Sequence, residues 1–417
     1  MSQLMWEGED PRRFTKEKFD EYLLWCFDEG ASDILIEVGE VLGAKIDGEI
    51  KRVGQRILSY EEVSEILIEI DQHASPTLIK SGEPLDFRYS VLREISETEE
   101  ELIRFRVNAT GCEPPYGAKD GLEIVLRTIP GTVPHYEDLG IPEEIMEACS
   151  AKYGIILITG PTGSGKSTSI AAMLREIVET RPVHLITYES PIEFNLKSIP
   201  NRKAWVVQSE VPGHISDFRV ATANSLRRAP DIILFGEGRD KETISACIRE
   251  SQTGHLVFST VHTNDVPGTI SRMVDEFEPS ERRGTTAKLV DAMRMIVHQR
   301  LYPRLGGGRV AIREYLSFSD EMRRHLQMCL LGKDDLGTDI REQLEKNGRP
   351  LLTDAIEHFR AGNLDLSQYA LIVNEVGKPE RDMAIVADVA NELYAAGKID
   401  KELFDSWMKE FLEKHNK

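Results

Sequence analysis

The 417-residue sequence predicts an α/β protein: a small α+β domain, then a parallel α/β domain, then a helical tail. Three observations carry this. Up to about residue 130, short strand-like and helix-like stretches alternate. From Tyr136 to Leu316, apolar runs of strand length alternate with amphipathic stretches, the pattern of a sheet with crossover helices. From about Asp320 onward only helical spacing remains.

In the first region, residues 18–27 place Phe19, Leu23, Cys26 and Phe27 on one helical face, and residues 33–38 read as a strand. Ser59 and Glu62 form a capping box ahead of Val63, Ile66, Leu67 and Ile70 at helical spacing. Residues 122–128 read as a further strand. Pro130-Gly131-Thr132-Val133-Pro134 interrupts both periods, which sets the expected domains at 1–130, 136–345 and 346–417, with a linker at 131–135. The second region has candidate strands at 155–159, 184–187, 232–235, 256–260 and 310–316. In the tail, Met383, Val386, Val389, Ala390 and Leu393 repeat at helical spacing up to Gly397. Asp400 then caps a helix carrying Leu403, Phe404, Trp407, Phe411 and Leu412.

Composition is that of an ordinary globular chain, with 41% hydrophobic and 29% charged residues. Acidic residues outnumber basic ones by 71 to 51, which argues against bulk nucleic-acid binding, since that runs on phosphate neutralisation by Lys and Arg. The five cysteines lie far apart, without the spacing of a disulfide framework or a zinc cluster, and read as reduced thiols. Residues 1–13 mix charges and are not read as a signal peptide. The longest apolar run, 22–27, is far below the ~20 residues of a membrane span, so membrane association is expected to be peripheral or through partners.

Gly160-Pro161-Thr162-Gly163-Ser164-Gly165-Lys166-Ser167 fits GxxxxGK[ST] and is followed by Thr168. A strand precedes it, and Ile170, Met173, Leu174, Ile177 and Val178 mark a helix after it. Glycines let the backbone curl so that its N–H groups face phosphate oxygens, and the helix N-terminus adds positive potential. Lys166 is expected to reach the β- and γ-phosphates and Ser167 to bind Mg²⁺, which makes this an ATP and Mg²⁺ site. Downstream, the strand at 232–235 ends in Gly236-Glu237. Such an acid, on a strand expected beside the phosphate strand, acts on Mg²⁺ or on the attacking water. His262 follows the strand at 256–260 and either touches the γ-phosphate or is structural. His255, at the other end of that strand, reads as structural or interfacial. Glu189 and Glu193 follow the strand at 184–187, as site carboxylates or as part of a solvated loop.

The blocks at 160–168, 189–194, 230–240 and 253–263 together resemble the Walker A, Asp box, Walker B and His box of the secretion and pilus ATPases. The strings PDIILFGEGRD and TGHLVFSTVHT are far more specific than a lone phosphate loop. The likeness extends upstream through Ser32-Asp33, residues 45–49, Arg104–Asn108 and Leu126–Pro130, and covers about residues 32–316. Residues 187–193 and Arg313-Glu314-Tyr315-Leu316 resemble the DotB and TraJ branch, the ATPases of type IVB secretion and IncI-type conjugation.

The resemblance implies a PAS-like N-terminal domain, a RecA-like ATPase domain and a homo-hexamer with nucleotide at domain and subunit boundaries. By motif, Glu237 becomes the general base, Glu189 and Glu193 organise metal and water, and His262 senses the γ-phosphate. Arg106 and Arg127 match arginines presented to nucleotide, some across a subunit boundary; the alternative for both is a surface ion pair. The implied role is a cytoplasmic ATPase, attached to the inner membrane through components of a transfer machine, with no direct nucleic-acid binding. A pilus-retraction motor and an ATP-gated docking factor are the alternatives, with a DNA-translocating enzyme behind them.

Ser190 stands where pilus motors usually carry Asp, and Ser209, after Gln208, where many relatives carry Arg. The tetracysteine module of some type II secretion ATPases is absent, so no zinc is expected. Residues 94–101 read as a charged surface insertion, and the tail either docks to a partner or covers its own core.

Overall fold

The computed structural model describes residues 6, 14–46, 49–71, 76–96, 99–113, 120–129, 131–332, 335–376 and 385–415. The chain divides into two compact units, Met1–Thr132 and Val133–Lys417, a division that falls inside the 131–135 segment.

The first unit runs α1 (Lys16–Asp28), β1 (Asp33–Glu37), β2 (Gly43–Ile46), β3 (Glu49–Arg52), α2 (Tyr60–Ile70), α3 (Pro76–Lys80), β4 (Leu85–Ser96), β5 (Glu99–Cys112) and β6 (Gly121–Ile129). Its sheet has the order β3-β2-β1-β6-β5-β4 and is antiparallel throughout. The Ser59 capping box is present: Glu62 N–H donates to Ser59 Oγ at 3.3 Å, and Ser59 N–H donates to the Glu62 carboxylate at 2.9 Å. Phe19, Leu23 and Cys26 of α1 and Val63, Ile66 and Leu67 of α2 pack on Ile34, Phe105, Val107 and Leu126 of the sheet. The charged segment at 94–101 is strand where it is described. It continues β4 and β5 as one hairpin, with Leu92 opposite Leu102 and Glu94 opposite Glu100.

The second unit runs α4 (Glu143–Ala148), β7 (Gly154–Thr159), α5 (Lys166–Thr180), β8 (His184–Glu189), β9 (Trp205–Glu210), α6 (Phe218–Ser225), β10 (Ile232–Phe235), α7 (Lys241–Gln252), β11 (Leu256–Val261), α8 (Pro267–Val274), α9 (Pro279–Ala292), β12 (Met293–Pro303) and β13 (Arg309–Ser317). The helices α10 (Asp320–Cys329), α11 (Gly337–Asn347), α12 (Leu351–Arg360), α13 (Leu366–Val376), α14 (Val386–Ala395) and α15 (Lys401–His415) follow. The sheet order is β13-β12-β7-β11-β10-β8-β9, parallel except for β13, which is antiparallel to β12. Successive side chains of β7 go to opposite faces: Ile155 and Leu157 join one core and Ile156 and Ile158 the other.

Two strands of this unit have no clear signal in the sequence. β9 is an edge strand with Trp205 exposed, and β12 mixes Arg294, His298, Gln299 and Arg300 into its apolar run. One expectation is corrected. The strand ahead of Glu237, β10, is not beside the phosphate strand β7, because β11 lies between them. β8 also reaches two residues further than its apolar run, so Glu189 ends the strand instead of following it.

In the tail, Leu326, Leu330, Ile340 and Leu344 extend the sheet core, whereas α12 to α15 build a separate core with Ile312 of β13. Phe359 stacks on Tyr369 at 4.5 Å between ring centroids and lies 5.2 Å from Trp407. Gly397 takes φ 68° after α14, and Asp400 accepts the Leu403 N–H at 2.8 Å at the start of α15. The tail thus covers a core of its own. Met383 and the side chains of Phe411 and Leu412 lie outside the described residues. Among the described residues, no helix is long and apolar enough to cross a membrane.

Candidate active site

Parallel strands in register bring their C-terminal ends to one edge, and that edge collects the motifs. Thr159 of β7 pairs with Val261 of β11, and Phe235 of β10 pairs with both Ser259 and Tyr188. Gly160, His262, Gly236-Glu237 and Glu189 therefore emerge side by side from four neighbouring strands.

The loop from Gly160 to Ser167 turns through three glycines with positive φ: 139° at Gly160, 79° at Gly163 and 81° at Gly165. A Cβ at Gly160 would lie 2.2 Å from the Gln299 carbonyl oxygen, so only glycine fits there. Pro161 and Thr162 are exposed on the loop, Gly165 caps α5, and Ser167 and Thr168 begin its first turn. Lys166 folds back over the loop and donates to the Gly160 and Pro161 carbonyls, both at 2.9 Å. Burial pushes its ammonium pKa down, while the nearby Glu237 and Glu193 carboxylates pull it back up. Ser164 Oγ is buried with no hydrogen-bond partner among the described residues. A glycine cradle at a helix N-terminus, a buried lysine and an unpaired hydroxyl fit the phosphates of a nucleotide, with Ser167 as the hydroxyl available to Mg²⁺.

The β11 strand between β7 and β10 puts His262 beside Glu237: its Nε2 lies 3.7 Å from one carboxylate oxygen, and Arg239 holds the other at 3.0 Å. A small cavity of about 90 Å³ adjoins this group, lined in part by Glu237, Arg239, His262 and Arg272. Glu189 accepts from Thr187 Oγ1 at 2.5 Å and from Gln208 Nε2 at 3.1 Å. The Gln208 amide also donates to the Phe194 carbonyl at 2.9 Å, which staples the loop carrying Ser190 and Glu193 to the strand ends. Glu193 is exposed on that loop. Next to it, Ser209 Oγ accepts from Arg228 at 3.4 Å, so a guanidinium from another segment reaches this serine. His255 is away from this edge, with Nδ1 2.9 Å from the Glu250 carbonyl.

Sequence reading passes over Arg239, Gln299 and His298. His298 of β12 faces Thr159, with Nδ1 3.3 Å from the hydroxyl, and Arg300 Nε donates to its Nε2 at 3.1 Å. Burial, reinforced by Arg300, pushes His298 down to about 4, so it is neutral at pH 7. No alternation marks this strand, since Arg294 stands alone and His298, Gln299 and Arg300 are consecutive.

In the first unit, Arg106 and Arg127 stand directly opposite each other on β5 and β6, on the sheet face away from α1 and α2. Arg88 of β4 stands opposite Arg106, which makes a row of three arginines that the sequence separation conceals. Arg127 pairs with Asp33 at 2.8 Å and Arg106 with Asp86 at 3.4 Å.

Comparison with known proteins agrees with these motifs. Residues 13–311 match the Type II/IV secretion system protein family. The chain belongs to that family. It is 36% identical over 296 residues to the type IV pilus retraction ATPase PilT of Pseudomonas aeruginosa, covering 71% of this chain and 81% of that one. In structure it resembles the Legionella pneumophila ATPase DotB, with TM-score 0.78 and 36% identity over 89% of this chain and 100% of that one. It also resembles the pilus retraction motor PilT solved with ADP, with TM-score 0.72 and 31% identity over 84% and 95% of the two chains. As a member of the Type II/IV secretion family with these relatives, the chain is a P-loop ATPase, and its fold is theirs.

Proposed function

We propose that this ATPase powers a type IVB secretion or conjugative transfer machine as a homo-hexamer, cytoplasmic and held at the inner membrane through partners. The observation that carries this is the meeting of the phosphate loop, Glu189, Glu237 and His262 at one sheet edge, in a chain whose likeness to DotB spans all of DotB. The loop N–H groups of 160–168 and Lys166 hold the ATP phosphates. Ser167 would hold Mg²⁺, which would supply positive charge to offset that of the phosphates. Glu237 takes the proton of the attacking water, His262 contacts the γ-phosphate beside it, and Glu189 and Glu193 order the surrounding water. Arg106 and Arg127 meet the nucleotide of a neighbouring copy and offset transition-state charge, which makes turnover depend on assembly.

The test is steady-state ATP hydrolysis against protein concentration for wild type, Glu237→Gln and Arg127→Ala. Turnover that rises cooperatively with concentration, and falls by roughly 10³-fold in both variants, is the expected result. ATP binding without turnover at any concentration overturns the motor and favours an ATP-gated docking factor. A second reading, pilus retraction, is favoured by the identity to PilT of P. aeruginosa. Deletion in the source bacterium separates the two: loss of substrate transfer with pilus retraction intact supports the first reading, and the converse the second.

A further inference from the structure

A phosphate loop that turns its N–H groups toward phosphate leaves carbonyls that need partners of their own. One such carbonyl belongs to Ser164, and its partner is Gln299, whose Nε2 donates to it at 2.6 Å. The Gln299 Oε1 accepts from Ser169 Oγ of α5 at 2.9 Å and from Arg313 Nε at 2.9 Å. Arg313 sits directly opposite Gln299 on β13. Its other two nitrogens donate to the Gly140 carbonyl at 2.8 Å and the Leu139 carbonyl at 3.0 Å. Gln299 is 2% exposed and Arg313 3%, so none of these bonds is readily exchanged for water.

The loop also rests on Gln299 at both ends. A Cβ on Gly160 would strike its backbone carbonyl, and one on Gly165 would lie 3.0 Å from its side-chain nitrogen. One amide and one guanidinium thus join the loop, the first turn of α5 and residues 139–140, which follow shortly after the unit boundary at Val133. A buried guanidinium is costly unless its donors are met, and here three nitrogens each have an acceptor.

We propose that Gln299 and Arg313 are positioning residues of the ATP site. Gln299 holds the Ser164 carbonyl outward, which keeps the loop open to phosphate, and Arg313 ties that arrangement to the carbonyls of Leu139 and Gly140. Nucleotide binding is then linked to the segment that leads out of the unit boundary. The proposal rests on the ATP-site assignment but not on the ring motor.

The experiment uses the full-length protein with the fluorescent nucleotide N-methylanthraniloyl-ADP, together with hydrolysis kinetics and hydrogen exchange. Gln299→Leu is expected to weaken nucleotide affinity roughly 5- to 30-fold, the loss that follows when a buried carbonyl is left unpaired. KM for ATP rises with it, and kcat falls less. Gln299→Glu keeps the acceptor for Ser169 and Arg313 but cannot donate to Ser164, so it fails to rescue. Arg313→Lys weakens affinity in the same direction, and its effect largely disappears when Gln299 is already Leu. Nucleotide slows exchange at residues 137–142 in wild type and not in Gln299→Leu.

Folded variants whose affinity lies within twofold of wild type, or single effects that simply add, would overturn the proposal. So would exchange at 137–142 that ignores nucleotide in wild type. If Gln299→Leu does not fold, Gln299→Glu decides, with the same expected weakening. Affinity is read without turnover, so a lack of cooperative hydrolysis would overturn the ring motor and leave this result standing.

Discussion

His298 shows how much one side chain beside the phosphate loop depends on its surroundings. Arg300 donates to its Nε2, so Nε2 is the acceptor and Nδ1 carries the hydrogen toward Thr159. Protonation would set a second N–H against a guanidinium in a buried site. With the pKa pushed down to about 4 from 6.5, the unfolded chain binds a proton that the folded chain refuses between those values. Stability is therefore unaffected above about pH 6.5 and falls as pH drops from there toward 4, by up to about 3 kcal/mol. His298→Asn should lose less stability than wild type between pH 7 and 4.5, measured by urea unfolding; equal losses in both would assign the acid sensitivity elsewhere. The same locality governs Lys166, which donates two of its three N–H groups to the Gly160 and Pro161 carbonyls and so sits over the loop in place for a phosphate.

Elements differ in how far local signals suffice to define them. α2 is specified locally, since its N-terminus is closed by the reciprocal Ser59 and Glu62 bonds and its apolar face follows the helical period. Ser59→Ala should cost about 1 kcal/mol of unfolding free energy for the first unit, and Ser59→Gly only a few tenths, by urea titration. A loss below a few tenths for both would mean that packing on the sheet, and not the cap, holds this end. β12 is the opposite case. Its polar residues His298, Gln299 and Arg300 look like a break in an apolar run, yet each has a hydrogen-bond partner. A central strand next to an active site carries polar side chains because the neighbouring loop needs partners. The β4–β5 hairpin is long for a different reason, because backbone pairing continues where the side chains turn charged.

At the level of the whole molecule, each unit has its own core, and every element that frames the phosphate loop belongs to the second. A fragment of residues 133–417 should therefore bind N-methylanthraniloyl-ADP within a few-fold of the full chain. If Arg106 and Arg127 act on nucleotide, the same fragment should hydrolyse ATP roughly 10³-fold more slowly. Full activity from the fragment would reduce both arginines to the surface pairs they make with Asp86 and Asp33. The helices from α12 onward belong to this unit as well, anchored through Ile312 of β13 on a core of Phe359, Tyr369 and Trp407.

The fold class, the phosphate loop, and the order of the acidic and histidine blocks can be read along the chain, because each is a local pattern: glycines in a fixed spacing, apolar runs of strand length, a polar group at a strand end. Glu237, His262 and Glu189 were legible as strand-end residues on that basis. Adjacency, by contrast, comes from folding alone. Strand order is set by which surfaces bury one another across long stretches of chain, so nothing local says that β11 separates β7 from β10 and thereby brings His262 to Glu237. The same holds for Arg88, Arg106 and Arg127, which stand in one row through register, and for Gln299 and Arg313, whose partners lie up to 174 residues away. Spacing along the chain records what a residue can do, and pairing across the sheet records what it does it to.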